Sequence, residues 1–270
     1  MKPSPMPRSA TSGEGAMTTA IAALFRHPIK GFTPQELDSA RLVAGEAFPG
    51  DRLFAVEDGP CGFDPAAPTF IPNGRVAVLA KIARVARART RYDEETGVLR
   101  ASAAGAADFE GRLTDEAGRT AFANWLTALL ADAATGPLRV VDGAGHRFLD
   151  HPKGHISIVN LASVRDLEAR LGRPLDPLRF RANLYVEGWP AWAENAWADQ
   201  EMVLGQARAR VFQPITRCAA PGVDPVTAER DIDVTGALHR LYGHMWCGIY
   251  ARVTAGGVVA QGDMARIARL

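Results

Sequence analysis

Short apolar runs separated by turn-forming residues limit what this chain can fold into more than any other feature of its sequence. Runs at 20–26, 39–43, 53–56, 85–92 and 98–101, then at 156–159, 183–186, 201–204, 207–212, 248–253 and 258–260, have strand length and bounding turns. Glu94-Glu95-Thr96-Gly97 and Gly205-Gln206 sit between neighbouring runs and read as hairpin turns. One helix stands out: Asp115 can cap a segment in which Phe122, Trp125, Leu126, Leu129 and Leu130 share a face. Ser163-Val164-Arg165-Asp166 predicts a second helix start, ended by Gly172 and Pro174, and a short helix is expected at 234–241. Many short strands with few helices predict an α+β fold rich in β-barrel structure.

The loop-rich stretch around Gly136-Pro137 and Asp142-Gly143-Ala144-Gly145 is the expected domain boundary. It divides a disordered tail at 1–18 and a smaller β-barrel-like domain at 19–135 from a second domain at 136–270. The two halves are expected to pack as one body, and no internal repeat is present.

Several functions are disfavoured. A formal net charge of +1 gives no broad attraction to nucleic acid. Arg87, Arg89 and Arg91 alternate along an expected strand as a solvated face, without the aromatic residues that base stacking needs. Cys61, Cys218 and Cys247 are odd in number and widely spaced, which argues against a disulfide framework and for a reducing compartment, the cytoplasm. No run approaches the roughly 20 apolar residues of a membrane span. Gly59-Pro60-Cys61-Gly62 lacks the residues of a phosphate loop, and His146, His151 and His155 read as a surface group.

Chemistry concentrates at Pro214-Ile215-Thr216-Arg217-Cys218, followed by Asp224-Pro225-Val226-Thr227-Ala228-Glu229-Arg230-Asp231. A fixed cation beside a thiol lowers the cost of a thiolate, which is the form that binds metal or attacks. Taken alone, the pair reads more readily as a buried structural cysteine beside a surface arginine. The wider pattern changes that weighting. Arg179-Phe180-Arg181-Ala182-Asn183-Leu184, Thr216-Arg217-Cys218, the 224–231 segment and Gly248-Ile249-Tyr250-Ala251-Arg252-Val253 together resemble the MOSC domain, the molybdenum cofactor sulfurase C-terminal domain. His27-Pro28-Ile29-Lys30-Gly31 and Gly50-Asp51-Arg52-Leu53 resemble the N-terminal β-barrel domain that precedes it in the branch containing the mitochondrial amidoxime-reducing component.

The resemblance implies a pterin-based molybdenum cofactor (molybdopterin) with Cys218 as the protein ligand to molybdenum and the catalytic residue. It further implies Lys30, Arg52, Ser157, Asn160, Arg181, Asn183, Thr216 and Arg217 as cofactor-binding residues. Lys30 alone reads as a solvent-facing lysine, and Arg52 is expected to begin a strand. Arg181 and Asn183, two apart on an expected strand, would share a face. Asp224 is given a supporting role, fixing Arg217 or turning the loop as an Asx residue. Ala228 stands where the family carries Gly, and Trp189, Trp192 and Trp197 are expected in packing and as a lid. The implied activity is reduction of N-oxygenated small molecules, with electrons from a separate protein, because no haem, flavin or iron–sulfur motif occurs. The alternatives are a persulfide or cofactor carrier acting through Cys218, and a silent binding module.

Overall fold

The computed structural model describes residues 19–152 and 156–268; the expected tail at 1–18 and His155 lie outside the described residues. The first part of the chain supplies β1 (Ala20–Arg26), β2 (Gln35–Leu37), β3 (Ser39–Leu42), β4 (Phe54–Asp58), β5 (Arg89–Tyr92), β6 (Val98–Ser102) and β7 (Phe109–Arg112). Helix α1 (Glu116–Leu130) and β8 (Leu138–Asp142) follow. The second part holds β9 (Ile156–Asn160), α2 (Leu161–Leu171), β10 (Leu184–Glu187), β11 (Glu201–Leu204) and β12 (Ala207–Thr216). It closes with α3 (Val234–Tyr242), β13 (Trp246–Ala255), β14 (Gly257–Ala260) and β15 (Ala265–Ile267). The fold is α+β and dominated by sheet, as the short runs require.

The largest sheet has eight strands in the order β15-β11-β12-β13-β9-β10-β1-β2. All its pairs are antiparallel except β9–β10. Register shifts along the β12–β13 ladder mark bulges, which bend paired strands and curl the sheet. Its inner face packs Ile21, Leu24, Phe48, Ile158, Val211 and Ile249, all fully buried. A second core forms where α1 lays Phe122, Leu126 and Leu130 against Ile29, Phe32, Val85 and Leu99.

Position 136 does not separate the sheets. β1 and β2 complete the large sheet, β3 pairs with β14, and β4 pairs with β8. The stretch read as a loop-rich junction contains β8, whose Val140 and Val141 are buried. Its short apolar core was masked by flanking Gly and Pro.

Two local expectations change. Asp115 caps α1, accepting from Gly118 N at 2.7 Å. The second helix, however, starts two residues before the predicted box, with Asn160 as its cap accepting from Ala162 N at 3.0 Å. Ser163 is buried within the helix and donates to Glu194 at 2.7 Å. The run at 85–92 is a strand only from Arg89; residues 83–87 form a 3₁₀ turn. Arg87 is therefore not on the strand, and Arg89 is half-buried, donating to the Pro225 and Val226 carbonyls at 2.6 and 2.9 Å.

Candidate functional site

Where β12 ends beside β13, the chain opens into a cleft of about 140 Å³. It is lined by seven of the sequence-selected residues: Lys30, Arg52, Ser157, Arg181, Thr216, Arg217 and Cys218. Lys30 and Arg52 come from loops of the first half and Arg181, Thr216, Arg217 and Cys218 from the second, so both halves build one site.

Lys30 is 3% exposed, not solvent-facing. Its Nζ donates to the Phe148 and Leu149 carbonyls and to Asp150 Oδ1 at 3.0, 2.9 and 2.9 Å. Gly31 after it has φ of 90°, and a Cβ there would stand 2.9 Å from Val78 Cα, so glycine is needed for the loop to pass.

Arg52 precedes β4 in a left-handed conformation (φ 49°) instead of opening the strand. Its guanidinium is fixed by Asp51 Oδ2, by His27 Nδ1 at 3.2 Å, by the Arg181 carbonyl at 3.3 Å and by Asp150 Oδ2 at 3.4 Å. His27 and Asp51 are fully buried behind it. Burial and the charges of Arg52 and Arg181 push His27 down to about 3. Burial opposes ionisation of Asp51, but Arg52 and the bond to His27 hold it at about 2. The imidazole is therefore neutral, with Nδ1 standing 3.2 Å from Arg52 Nη1 and 3.3 Å from Asp51 Oδ1. Its Nε2 is buried without a hydrogen-bond partner.

Arg181 is not on a strand. It ends a 3₁₀ turn with φ of 52° and donates to the Phe32 carbonyl at 2.7 Å. Burial and the like charge of Arg52 lower it to about 10, so it stays charged at neutral pH. Asn183 lies behind the cleft, where its Oδ1 accepts from Ser157 N and Oγ at 3.0 and 2.9 Å. It orients Ser157, which lines the cleft, without lining it itself.

Arg217 turns inward, donating to the Cys247 and Phe180 carbonyls at 2.8 and 2.7 Å and lying over the Phe180 ring at 5.3 Å. Its Nη2 is buried with no partner. Gly248 makes room for it: a Cβ there would collide with the Ile158 carbonyl oxygen and stand 3.2 Å from Nη2. Cys218, two residues beyond Thr216, is exposed, whereas Cys247 is fully buried. This reverses the reading of the Arg-Cys pair taken alone: the thiol is outside and the guanidinium is the braced partner. Cys61 is half-buried and donates its thiol to Glu57 at 2.5 Å. Burial and that carboxylate push it up to about 11.

Two sequence-selected residues lie elsewhere. Asn160, besides capping α2, donates to the Pro190 carbonyl and to Glu194 at 2.8 Å each, away from the cleft. Asp224 does form the Asx turn, accepting from Val226 N and Thr227 N at 2.7 and 2.8 Å. Its arginine is Arg179 at 2.8 Å, not Arg217. Ala228 closes that turn with φ of 62°, the left-handed conformation its glycine counterpart would adopt freely. Trp189 is buried against Trp197, and Trp192 packs on Tyr242.

Three ionisable lining residues were missed. Asp150 bridges Lys30 and Arg52; desolvation opposes its ionisation, but Lys30, Arg52 and Arg181 outweigh it and hold the carboxyl well below its usual range. Tyr250 and Arg179 were inside quoted motifs, yet only the fold turns them into the cleft. Arg179 could have been found from Asp224 and Asp231, both of which it binds at 2.8 Å. Its charge is met outside the cleft and Asp51 stands behind Arg52, which leaves the four cations Lys30, Arg52, Arg181 and Arg217 against the two carboxylates Asp51 and Asp150. Such a lining attracts an anion.

Comparison with known proteins identifies the family. Residues 145–266 match the model of the MOSC domain, and residues 18–135 match that of the MOSC N-terminal beta barrel domain. The chain is a MOSC domain protein. Over 137 residues it is 28% identical to mitochondrial amidoxime-reducing component 1 of Homo sapiens, spanning 44% of this chain and 38% of that protein. Over 74 residues it is 32% identical to the Mus musculus counterpart, spanning 27% of this chain and 21% of that protein. The matched stretches thus span well under half of these relatives. The YUAD protein of Bacillus subtilis aligns with a TM-score of 0.46 at 14% identity, over 92% of this chain and 94% of that one. YiiM of Geobacillus stearothermophilus aligns with a TM-score of 0.35 at 22% identity, over 43% of this chain and 55% of that one. The family-model match places the MOSC protein in a family associated with molybdenum cofactor. Among the described residues, no helix is long and apolar enough to cross a membrane. None of their His, Cys, Asp and Glu side chains group in threes or more to hold a metal ion.

Proposed function

We propose that the cleft holds the molybdenum cofactor and that the protein reduces N-oxygenated small molecules, with Cys218 as the protein ligand to molybdenum. The observation that carries this reading is an exposed thiol at the edge of a cleft whose cations outnumber its carboxylates. The donor set fits the group. The buried, unpartnered Arg217 Nη2 and the Lys30, Arg52 and Arg181 side chains suit an anionic, phosphate-bearing pterin. Ser157 and Thr216 offer short hydroxyls to its polar edge. A single protein sulfur suffices where the metal arrives with its own sulfur ligands.

When bound, the cofactor would supply two-electron redox chemistry at the metal. The overall reaction balances as R–NHOH + 2 e⁻ + 2 H⁺ → R–NH₂ + H₂O, with the electrons coming from a separate donor protein. This chain's part is to hold and orient. His27 and Asp51 lock Arg52, Asn183 locks Ser157, and the Asp224 turn with Arg179 braces the loop that carries Cys218. In this reading the domains at 19–135 and 136–270 act as one catalytic body in the cytoplasm.

The exposure of Cys218 also suits the carrier reading, since a persulfide must reach a partner. One experiment separates the two. Protein made in a host able to synthesise the cofactor should contain near one molybdenum per chain and reduce an amidoxime with a chemical reductant. Cys218→Ser should abolish turnover while leaving the circular dichroism spectrum unchanged. Full turnover by the variant refutes the ligand role; a persulfide on wild-type Cys218 without turnover favours the carrier.

A further inference from the structure

Beside the cleft, four aromatic side chains form a continuous pile. Trp192 packs on Tyr242 with ring centroids 4.3 Å apart. Tyr242 and His244 are near parallel at 5.9 Å and 21°, and His244 and Trp246 at 5.0 Å and 16°. The inner end is pinned, because Tyr242 Oη and Trp192 Nε1 both donate to Asp166 Oδ2, at 2.6 and 2.8 Å. Arg170 covers the Tyr242 ring at 5.1 Å. His244 is fixed through Nδ1, which accepts from Trp246 N at 3.1 Å. The outer end, Trp246, is 40% exposed, with Met245 (39%) and Leu241 (40%) near it in sequence.

The pile ends at the candidate site. Trp246 is the cross-strand partner of Thr216, and Arg217 N donates to the Met245 carbonyl at 2.9 Å. Cross-strand partners place their side chains on one face of the sheet, about 5 Å apart. Cys247, next along β13, points the other way and is fully buried. Thr216 and Trp246 therefore share the exposed face, one strand position from the Arg217-Cys218 turn.

We propose that Trp246 is a stacking platform for a planar aromatic group of the substrate, giving the site a preference for aryl over alkyl N-oxygenated compounds. This rests on the reductase reading above. A ring already held by its neighbours loses little freedom when a ligand lands on it, so the stacking energy appears as affinity. An exposed protein-docking patch would not need His244 and Tyr242 stacked in turn beneath it.

The test pairs N-hydroxybenzamidine with N-hydroxyacetamidine, which share the reacting head and differ in the ring. With cofactor-loaded protein and a chemical reductant, Trp246→Ala should raise KM for the aryl compound about 2- to 12-fold. The alkyl KM should move less than twofold, and Trp246→Phe should recover most of the aryl affinity. In parallel, equilibrium binding of N-hydroxybenzamidine to wild-type and Trp246→Ala protein reads stacking without turnover. If the wild-type binds the aryl compound, the variant binds it more weakly and neither compound is reduced, the platform stands as a binding site and the reductase reading fails. Equal shifts for both compounds, no shift in either, or no aryl binding by the wild-type overturns the platform. A loss confined to turnover driven by a protein electron donor, with both KM values unchanged, would assign Trp246 to donor docking and likewise overturn it.

Discussion

Lowering the pH from 7 to 5 should destabilise this protein through one fully buried residue, His27. Its folded-state value is about 3 against an ordinary 6.5, because burial and the Arg52 and Arg181 charges oppose protonation. Protonation would also set a second charge against Arg52 at 3.2 Å, which Asp51, 3.3 Å from the same nitrogen, offsets only in part. The unfolded chain takes up a proton below 6.5 that the folded chain refuses until about 3. Stability is therefore fully present above 6.5 and falls as the pH drops toward 3. The cost at pH 5 is about 2 kcal/mol, at about 1.4 kcal/mol per pH unit of separation. Other groups also titrate in this range, so the informative quantity is a difference. His27→Asn keeps an acceptor for Arg52 and cannot titrate. Urea unfolding of both proteins at pH 7 and 5 should show the variant less stable at pH 7 but with a pH-dependent loss smaller by about 2 kcal/mol. Parallel losses in the two proteins would refute the assignment of a neutral, acid-refusing His27.

Arg52→Gln or Arg181→Gln should cut cofactor retention roughly ten- to hundred-fold, while Arg87→Gln, on an exposed turn, should leave it unchanged; molybdenum content after gel filtration reads this directly. Asp150→Asn removes the carboxylate shared by Lys30 and Arg52, so titration calorimetry with inorganic phosphate should show binding about fivefold tighter, a gain of about 1 kcal/mol; weaker binding would mean the carboxylate orients these cations. Ala228→Gly relieves a left-handed alanine and should raise unfolding free energy by up to about 1 kcal/mol, whereas a loss would show that the Asp224 turn holds this conformation without strain.

The sequence carried the strands whose boundaries are punctuated by turns, and the helix whose five apolar positions repeat at helical spacing. It hid β8, because Val140 and Val141 lie between Gly-rich flanks, and the start of α2, because Asn160 and Ser163 are both good caps. Of the site, residues in contiguous motifs were legible: Lys30, Arg52, Arg181 and Cys218 converge on one cleft. Partners distant in sequence were not. Asp150 meets Lys30 across 120 positions, and Arg179 takes the aspartate expected for Arg217. Local pattern identifies which side chains can carry a charge; it holds no record of which opposite charge the fold brings to them.

The crossing of strands between the two halves has a consequence for when the site can exist. β1 is laid against β10, and β3 pairs with β14, so neither half can finish its strand pairing before the other is made. Pairings this distant in sequence close late and slowly. The cleft draws on residues from Lys30 to Tyr250, so a chain still emerging from the ribosome offers nothing for the cofactor to recognise. If the cleft holds the cofactor as proposed, loading is a post-synthetic event, and a ligand that binds only the finished protein stabilises all of it at once. Cells short of cofactor should accumulate a chain whose two halves are equally vulnerable to proteases.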